Sequence, residues 1–416
     1  MDTCDLLYAD QLGLTGSTIQ LKCPAKLAPR RSLWFYTNGT QSVYLTENGY
    51  INNDTLSPEL YRRLSVSGNH SIGEYHLNIA DIRKSDEGKY ECIVGKDIGT
   101  VFLTVIVGPT ALIIDNVTPD NKVPGIEGQY MTLKCTAVGG QPAPDVNLVI
   151  LGLNYTGKQS AHHTFNPQRL NDGSTVTCQA GYKEIQHYPL NTTTHIHLKL
   201  KPVITPFSPD TVSTEETKVF AISCQATGSR PAAYIYWLLG PQRTNITTNS
   251  TSQSNKESST DTYNVTSYLK YRVDRKYNEQ TLICIAVNVA GSMETSLTLD
   301  VKYAPGVTVE NETFPLTQLS RQIQSTLDGN PIVNTCIWHH RSQYGEHIRY
   351  FSDNNQILTL PTVSEDERYQ DTGEYVCTAA DNGVIGINGQ LKQTGSGYVI
   401  SNGKVYFPQI TATNDV

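Results

Sequence analysis

The sequence predicts an all-β chain, a tandem array of four β-sandwich domains, and three observations predict it. At 416 residues the chain is long enough for three or four domains of ordinary size. Thr, Ser, Tyr and Val are frequent while Met, at 3, is scarce, a balance that favours strands over helices. The third observation is the cysteines. Of 9, Cys4 stands apart, and the other eight fall into consecutive pairs 69, 43, 60 and 41 residues apart. These spacings are too wide for a CxxC metal knuckle or a thioredoxin motif.

Composition removes several function classes. Hydrophobic residues make up 38% and charged residues 17%, enough apolar material for packed cores. The formal net charge is -7 and no Lys/Arg run occurs, so nucleic acid is not an expected partner. The longest apolar runs, "LVILGL" (148–153) and "VFLTVIV" (101–107), fall far short of the roughly 20 residues that cross a bilayer. The stretch "MDTCDLLYADQLG" lacks the basic and apolar regions of a signal peptide.

The elements follow from the first cysteine pair. "STIQLKC", ending at Cys23, alternates as a half-buried strand does. Trp34 follows in "RSLWFY", and "SDEGKYEC" then supplies Asp86, Gly88, Tyr90 and Cys92. The same spelling, Asp-x-Gly-x-Tyr-x-Cys, returns in "QDTGEYVC", ending at Cys377. This order of Cys, Trp and Asp-x-Gly-x-Tyr-x-Cys resembles the immunoglobulin superfamily, and the resemblance covers nearly the whole chain. It implies that each cysteine pair joins strands B and F of one sandwich: Cys23–Cys92, Cys135–Cys178, Cys224–Cys284 and Cys336–Cys377. It also implies that the Trp packs on the disulfide, that the Tyr forms a tyrosine corner, and that Arg63 pairs with Asp86 across the sandwich base.

The later domains repeat the pattern with departures. "CQATGSRPAAYIYWLLG" (224–240) and "CTAVGGQPAPDVNLVILG" (135–152) run in step, so Leu148 stands where Trp237 stands. In the fourth domain Trp338 follows Cys336 by only two residues, too early for strand C, and Ile348 or Tyr350 is expected there instead. The wide first spacing leaves room for C′ and C″ strands, as in variable-type domains; the others read as constant or intermediate types. The expected bounds are 1–107, 108–201, 202–303 and 304–392, with a tail at 393–416 whose Asn402-Gly403 signals a hairpin. Short joins carrying Pro ("VIVGPTALI", "LKPVITPF", "VKYAPGVTV") favour an elongated array.

The paired cysteines imply an oxidising compartment. Glycosylation sequons agree: Asn38, Asn53, Asn69, Asn154, Asn191, Asn245, Asn249, Asn264 and Asn311 each precede x-Ser/Thr, and Asn116 does so with Pro119 following. A Thr-rich chain also makes some sequons by chance. The chain is therefore expected at the cell surface, as a plasma-membrane ectodomain, or secreted. Any membrane contact is expected through a segment absent from this chain. The missing signal and anchor are expected to reflect truncation, an incomplete gene model or an unusual secreted form. Cys4 is expected to be free in the monomer.

Catalytic signatures are absent: no Gly-x-Ser-x-Gly elbow, Walker loop, Gly-rich dinucleotide turn or His-Glu-x-x-His occurs, so neither an enzyme nor a cofactor is expected. His195 and His197 share a strand face but lack a third ligand, and His339 and His340 point to opposite faces. Asp353-Asn354-Asn355 and Asp381-Asn382 read as turns, and Leu299-Asp300-Val301 as part of a final strand.

Function then lies in surfaces. With Trp34 and Cys92 inward, alternation sends Phe35, Ile93 and Phe102 outward on strands C, F and G of one sheet, with Tyr44 of C′ beside them. Single exposed apolar residues are ordinary; several on adjacent strands are not. The resemblance to nectin-like and nephrin-like adhesion molecules, which place a variable-type domain first and dimerise through its C-F-G sheet, implies a protein partner. That partner is another immunoglobulin-superfamily ectodomain or the chain itself. A secreted immune protein that recognises non-self ligands is the alternative.

Overall fold

The computed structural model describes residues 7–23, 31–95, 97–185 and 187–403. Cys4 and the second arm of the hairpin expected in the tail lie outside these residues. The chain divides into two compact units, Met1–Lys199 and Leu200–Val416. Both are built almost wholly of strands.

In the first unit, strands C (Ser32–Asn38), C′ (Gln41–Glu47), C″ (Tyr50–Ile51), F (Gly88–Val94) and G (Asp97 onward) form one sheet, with Leu7–Leu14 added parallel to G. Ile19–Leu21, His76–Ile79 and Leu64–Ser67 form the facing sheet. Between them Leu21, Trp34, Leu77, Val101 and Leu103 are buried. Strand G does not stop at the sandwich: Asp97–Ile114 is a single strand, and its second half pairs with Met131–Gln141 of the next sandwich. That sandwich faces Met131–Gln141 and Ser160–Phe165 against a five-stranded sheet, Lys122–Ile126, His187–Lys199, Thr175–Tyr182, Asp145–Ile150 and Leu153–Lys158.

The second unit repeats this plan. Val203–Ile204, Val219–Ser229, Thr262–Arg272 and Ser250–Glu257 face a sheet of Thr244–Asn245, Tyr234–Leu239, Thr281–Asn288 and Gly291–Val309. Gly291–Val309 again continues into the following sandwich, where it pairs with Gln322–Asn330. The last sandwich is closed by Glu312–Phe314, Thr394–Ser401, Gly373–Ala379, Cys336–Arg341 and His347–Tyr350. Thr394–Ser401, within the segment that the sequence reads as a tail, is thus a strand of this sandwich.

Each sandwich holds one disulfide: Cys23–Cys92, Cys135–Cys178, Cys224–Cys284 and Cys336–Cys377. A common register surrounds them. Trp34 lies opposite Cys92, Leu148 opposite Cys178 and Trp237 opposite Cys284, all fully buried. Leu148 fills the space that the larger indole occupies elsewhere. Tyr90 and Tyr375 each donate a hydroxyl hydrogen bond to the backbone four residues upstream, to Asp86 (2.7 Å) and Asp371 (2.9 Å). Arg63 grips Asp86 with two bonds of 2.5 and 2.9 Å.

The fourth sandwich corrects two expectations. Trp338 lies opposite Cys377 and is fully buried, so it holds the strand C core position; Ile348 and Tyr350 lie on C′ and are exposed. The displaced residue is the cysteine. Cys336 sits on strand C, two residues before Trp338 and on the same inward face, so this bridge joins strands C and F within one sheet rather than B and F across the sandwich. Strand B, Gln322–Asn330, turns Ile323 and Ser325 inward and has no cysteine. Neighbouring strands bring the two Cα atoms to 5.5 Å, a normal disulfide span.

Candidate protein-binding face

On the first sandwich the outward side chains fall into rows set by register. Leu33 lies opposite Ile93, and Ile93 opposite Ile98. In the next row Phe35 lies between Tyr44 and Glu91, with Thr100 beyond. A register shift between Trp34 and Phe35 in the C–C′ pairing lets Leu45 and Thr46 both turn inward, and this brings Tyr44 to Phe35, ring centroids 5.4 Å apart. Phe35, Tyr44 and Ile93 therefore lie in adjacent rows, together with Leu33 and Ile98.

Phe102 is set apart. It is 41% exposed, but it lies opposite Lys89, and the Lys89–Glu91 ion pair (2.6 Å) runs between it and Phe35. A second charged group closes the C′ end. Glu47 accepts from Arg31 (2.7 Å) and from the Tyr44 hydroxyl (2.7 Å), and these hydrogen bonds hold its carboxyl below the usual range. An apolar centre between charged edges is the anatomy of a protein interface. Leu33 and Ile98 were legible by extending the same alternation one step along strands C and G. The separation of Phe102 was not, because it depends on which residue lies across the strand.

The sequons of this sandwich lie off the apolar rows: Asn38 at the C–C′ turn, Asn53 and Asn69 in later turns. Asn154 and Asn191 are exposed on strands of one sheet in the second sandwich. Asn245, Asn249 and Asn311 are exposed; Asn264 is half-buried, accepting from the Gly228 N–H at 3.1 Å. His195 and His197 stay a pair, and among the described residues no group of three His, Cys, Asp or Glu is placed to hold a metal. Asp353 and Asp381 accept from backbone N–H groups two residues on, as turn residues do. Leu299 and Val301 are buried in the long Gly291–Val309 strand. No helix among the described residues is long and apolar enough to cross a membrane.

Facing sheets, a disulfide in every sandwich and tyrosine corners at Tyr90 and Tyr375 define the class: the chain is a tandem array of immunoglobulin-like β-sandwich domains. Its residues 204–294 match the family model described as a CD80-like C2-set immunoglobulin domain. Among individual proteins it is similar to Kin of IRRE-like protein 3 of Homo sapiens, 27% identical over 350 residues, 77% of this chain and 39% of that protein. It is also similar to nephrin of Rattus norvegicus, 26% identical over 275 residues, 59% of this chain and 21% of that protein. Cell adhesion molecule 2 of Rattus norvegicus is 23% identical over 243 residues, 53% of this chain and 52% of that protein. The chain thus spans well under two thirds of the length of each.

Proposed function

We propose that this chain is part of a cell-adhesion or cell-recognition ectodomain. Its domains take the bounds 1–107, 108–201, 202–303 and 304–392, the last extended by its strand Thr394–Ser401. The C-F-G face of the first domain binds a protein partner, itself an immunoglobulin-superfamily ectodomain or a second copy of this chain. The observation that carries the reading is the apolar centre of Leu33, Phe35, Tyr44, Ile93 and Ile98 between the Arg31–Glu47 and Lys89–Glu91 pairs. A sheet face that meets only water is polar. The similarity to proteins named for cell adhesion supports the same reading.

The experiment is adhesion of beads coated with the chain, made in a secretory host. The beads are tested against one another and against surfaces displaying single immunoglobulin-superfamily ectodomains. The expected result is clustering or capture by at least one surface. Coated beads that behave as bare beads on every surface overturn the proposal.

A further inference from the structure

Strand C of the third sandwich, Tyr234–Leu239, buries Ile235, Trp237 and Leu239. Its outward positions are apolar as well: Tyr234, Tyr236 and Leu238. They lie opposite Val287, Ile285 and Ile283 of the neighbouring strand, Thr281–Asn288. Three rows of two make an unbroken apolar stripe on a sheet face, where alternation normally supplies polar residues. The next strand is polar at the matching positions, with Ser292, Glu294 and Ser296.

The stripe is covered unevenly. Ile283 is 9% exposed, while Tyr236 is 37% and Tyr234 57% exposed. The Arg243–Glu294 ion pair (3.0 Å) runs from the C–C′ turn to Glu294, which lies opposite Ile285 in the row of Tyr236. The two tyrosines, with ring centroids 4.5 Å apart, are nevertheless left the most exposed part of the stripe.

Bordering the stripe on its other side is the short strand Thr244–Asn245. Asn245 lies directly opposite Leu238, so both side chains project from the same face, with Cβ atoms about 5 Å apart. Tyr236 is two residues along, about 6–7 Å further. Asn245 opens the sequon Asn245-Ile246-Thr247. Its Oδ1 accepts from the Thr247 N–H at 2.9 Å, which fixes the amide and leaves Nδ2 at the exposed side. Ile246 is buried and pins the loop. The neighbouring sequon differs: Asn249 uses its Nδ2 to donate to the Ile246 carbonyl at 3.2 Å.

We propose that Asn245 carries an N-linked glycan whose inner sugars lie over Tyr236 and Tyr234 and shield this stripe. In the attachment a C–N bond forms between Nδ2 and the anomeric carbon of a lipid-linked diphosphate oligosaccharide. The lipid diphosphate leaves with the electron pair of the broken C–O bond, and the amide gives up one proton. Sugar rings offer C–H faces to aromatic rings and hydroxyl edges to water, so they cover an apolar surface and keep it soluble. The inference rests on the extracellular reading, because the donor is met only on a secretory route.

The test uses the full chain from a secretory host. Peptide mass mapping reads occupancy at each sequon, and hydroxyl-radical footprinting reads Tyr234 and Tyr236. Asn245 is expected to be occupied. Asn245→Gln is expected to raise oxidation of both tyrosines and binding of an anilinonaphthalene dye several-fold, with Asn249→Gln as the unchanged control. Enzymatic removal of the whole glycans from the wild-type protein gives the same reading without a variant that has to fold. An unoccupied Asn245 on a chain glycosylated elsewhere overturns the proposal, as does tyrosine labelling that this removal leaves unchanged. A chain with no sequon occupied overturns the extracellular reading as well.

Discussion

Asp371 opens the second Asp-x-Gly-x-Tyr-x-Cys stretch and is almost wholly buried. Arg321 and Arg349 both bind its carboxylate, and Arg321 also donates to the Ser401 hydroxyl (3.2 Å) and the Pro361 carbonyl (2.6 Å). Arg321 and Asp371 are nearly without solvent contact. Breaking such a pair strands a charge, so Asp371→Asn is expected to cost about 3–5 kcal/mol, read by denaturant unfolding of the last sandwich. An unchanged midpoint contradicts this. His340 lies beside the cluster, fully buried and stacked on Tyr375 at 4.3 Å. Its Nε2 lies 3.4 Å from the Thr372 carbonyl, with Arg349, Asp371 and His339 nearby. Burial, above all, pushes its pKa down from 6.5 to about 4. The unfolded chain therefore binds the proton first. The stability this neutral imidazole contributes is complete above pH 6.5 and is lost as pH falls toward 4. Amide exchange in Gly373–Ala379 should quicken over that window in the wild type and stay flatter in His340→Gln. Identical profiles sink the assignment. Asp371 was legible from its motif; its two arginines and His340 were not, since they come from distant strands that only the tertiary fold brings together.

At the scale of elements, two strands each serve two sandwiches. Asp97–Ile114 and Gly291–Val309 both contain a proline that reads as a break in sequence. Pro109 instead sits where the register shifts against Met131–Gln141, and Pro305 lies within the shift between Tyr303 and Gly306, places where a missing N–H costs no ladder bond. The joints are then pinned in the same way. The Tyr182 hydroxyl lies within hydrogen-bond reach of the Val107 carbonyl (2.7 Å) and the Pro142 carbonyl (2.9 Å); the Asn382 amide donates to Tyr303 (2.9 Å) and Pro331 (3.1 Å). Tyr182→Phe removes this contact and leaves the carbonyls without it, a loss of about 1–3 kcal/mol. Faster amide exchange in residues 107–114, with the Trp34 core unaffected, is the expected result; unchanged exchange contradicts the pinning. The fourth sandwich shows the limit of spacing arguments. A cysteine two residues before a tryptophan looked like a misplaced tryptophan, yet strand C alternation puts both side chains on one face, and the tryptophan kept its place.

At the scale of the whole molecule, four bridges and one repeated register account for the fold. Non-reducing peptide mapping is expected to return the four bridges seen here, and any bridge between different sandwiches contradicts the architecture. The fold was legible because the buried positions of a sandwich are few and chemically distinctive. The candidate face was legible only in part. Alternation gave the outward direction of Phe35, Tyr44, Ile93 and Phe102, but which of them meet depends on cross-strand register, and that is not written in any single strand.

The central claim, that the Phe35 face binds a partner, is tested most directly by setting Phe35→Ala against its inward neighbour, Trp34→Ala. Bead adhesion and thermal unfolding are measured for both. Truncating an aromatic anchor at an interface costs about 2 kcal/mol, roughly 30-fold in Kd, so Phe35→Ala should lose adhesion with its unfolding unchanged. Trp34→Ala should instead lose about 3–5 kcal/mol of stability. Adhesion that survives Phe35→Ala, or unfolding of the first sandwich by that change, contradicts the account.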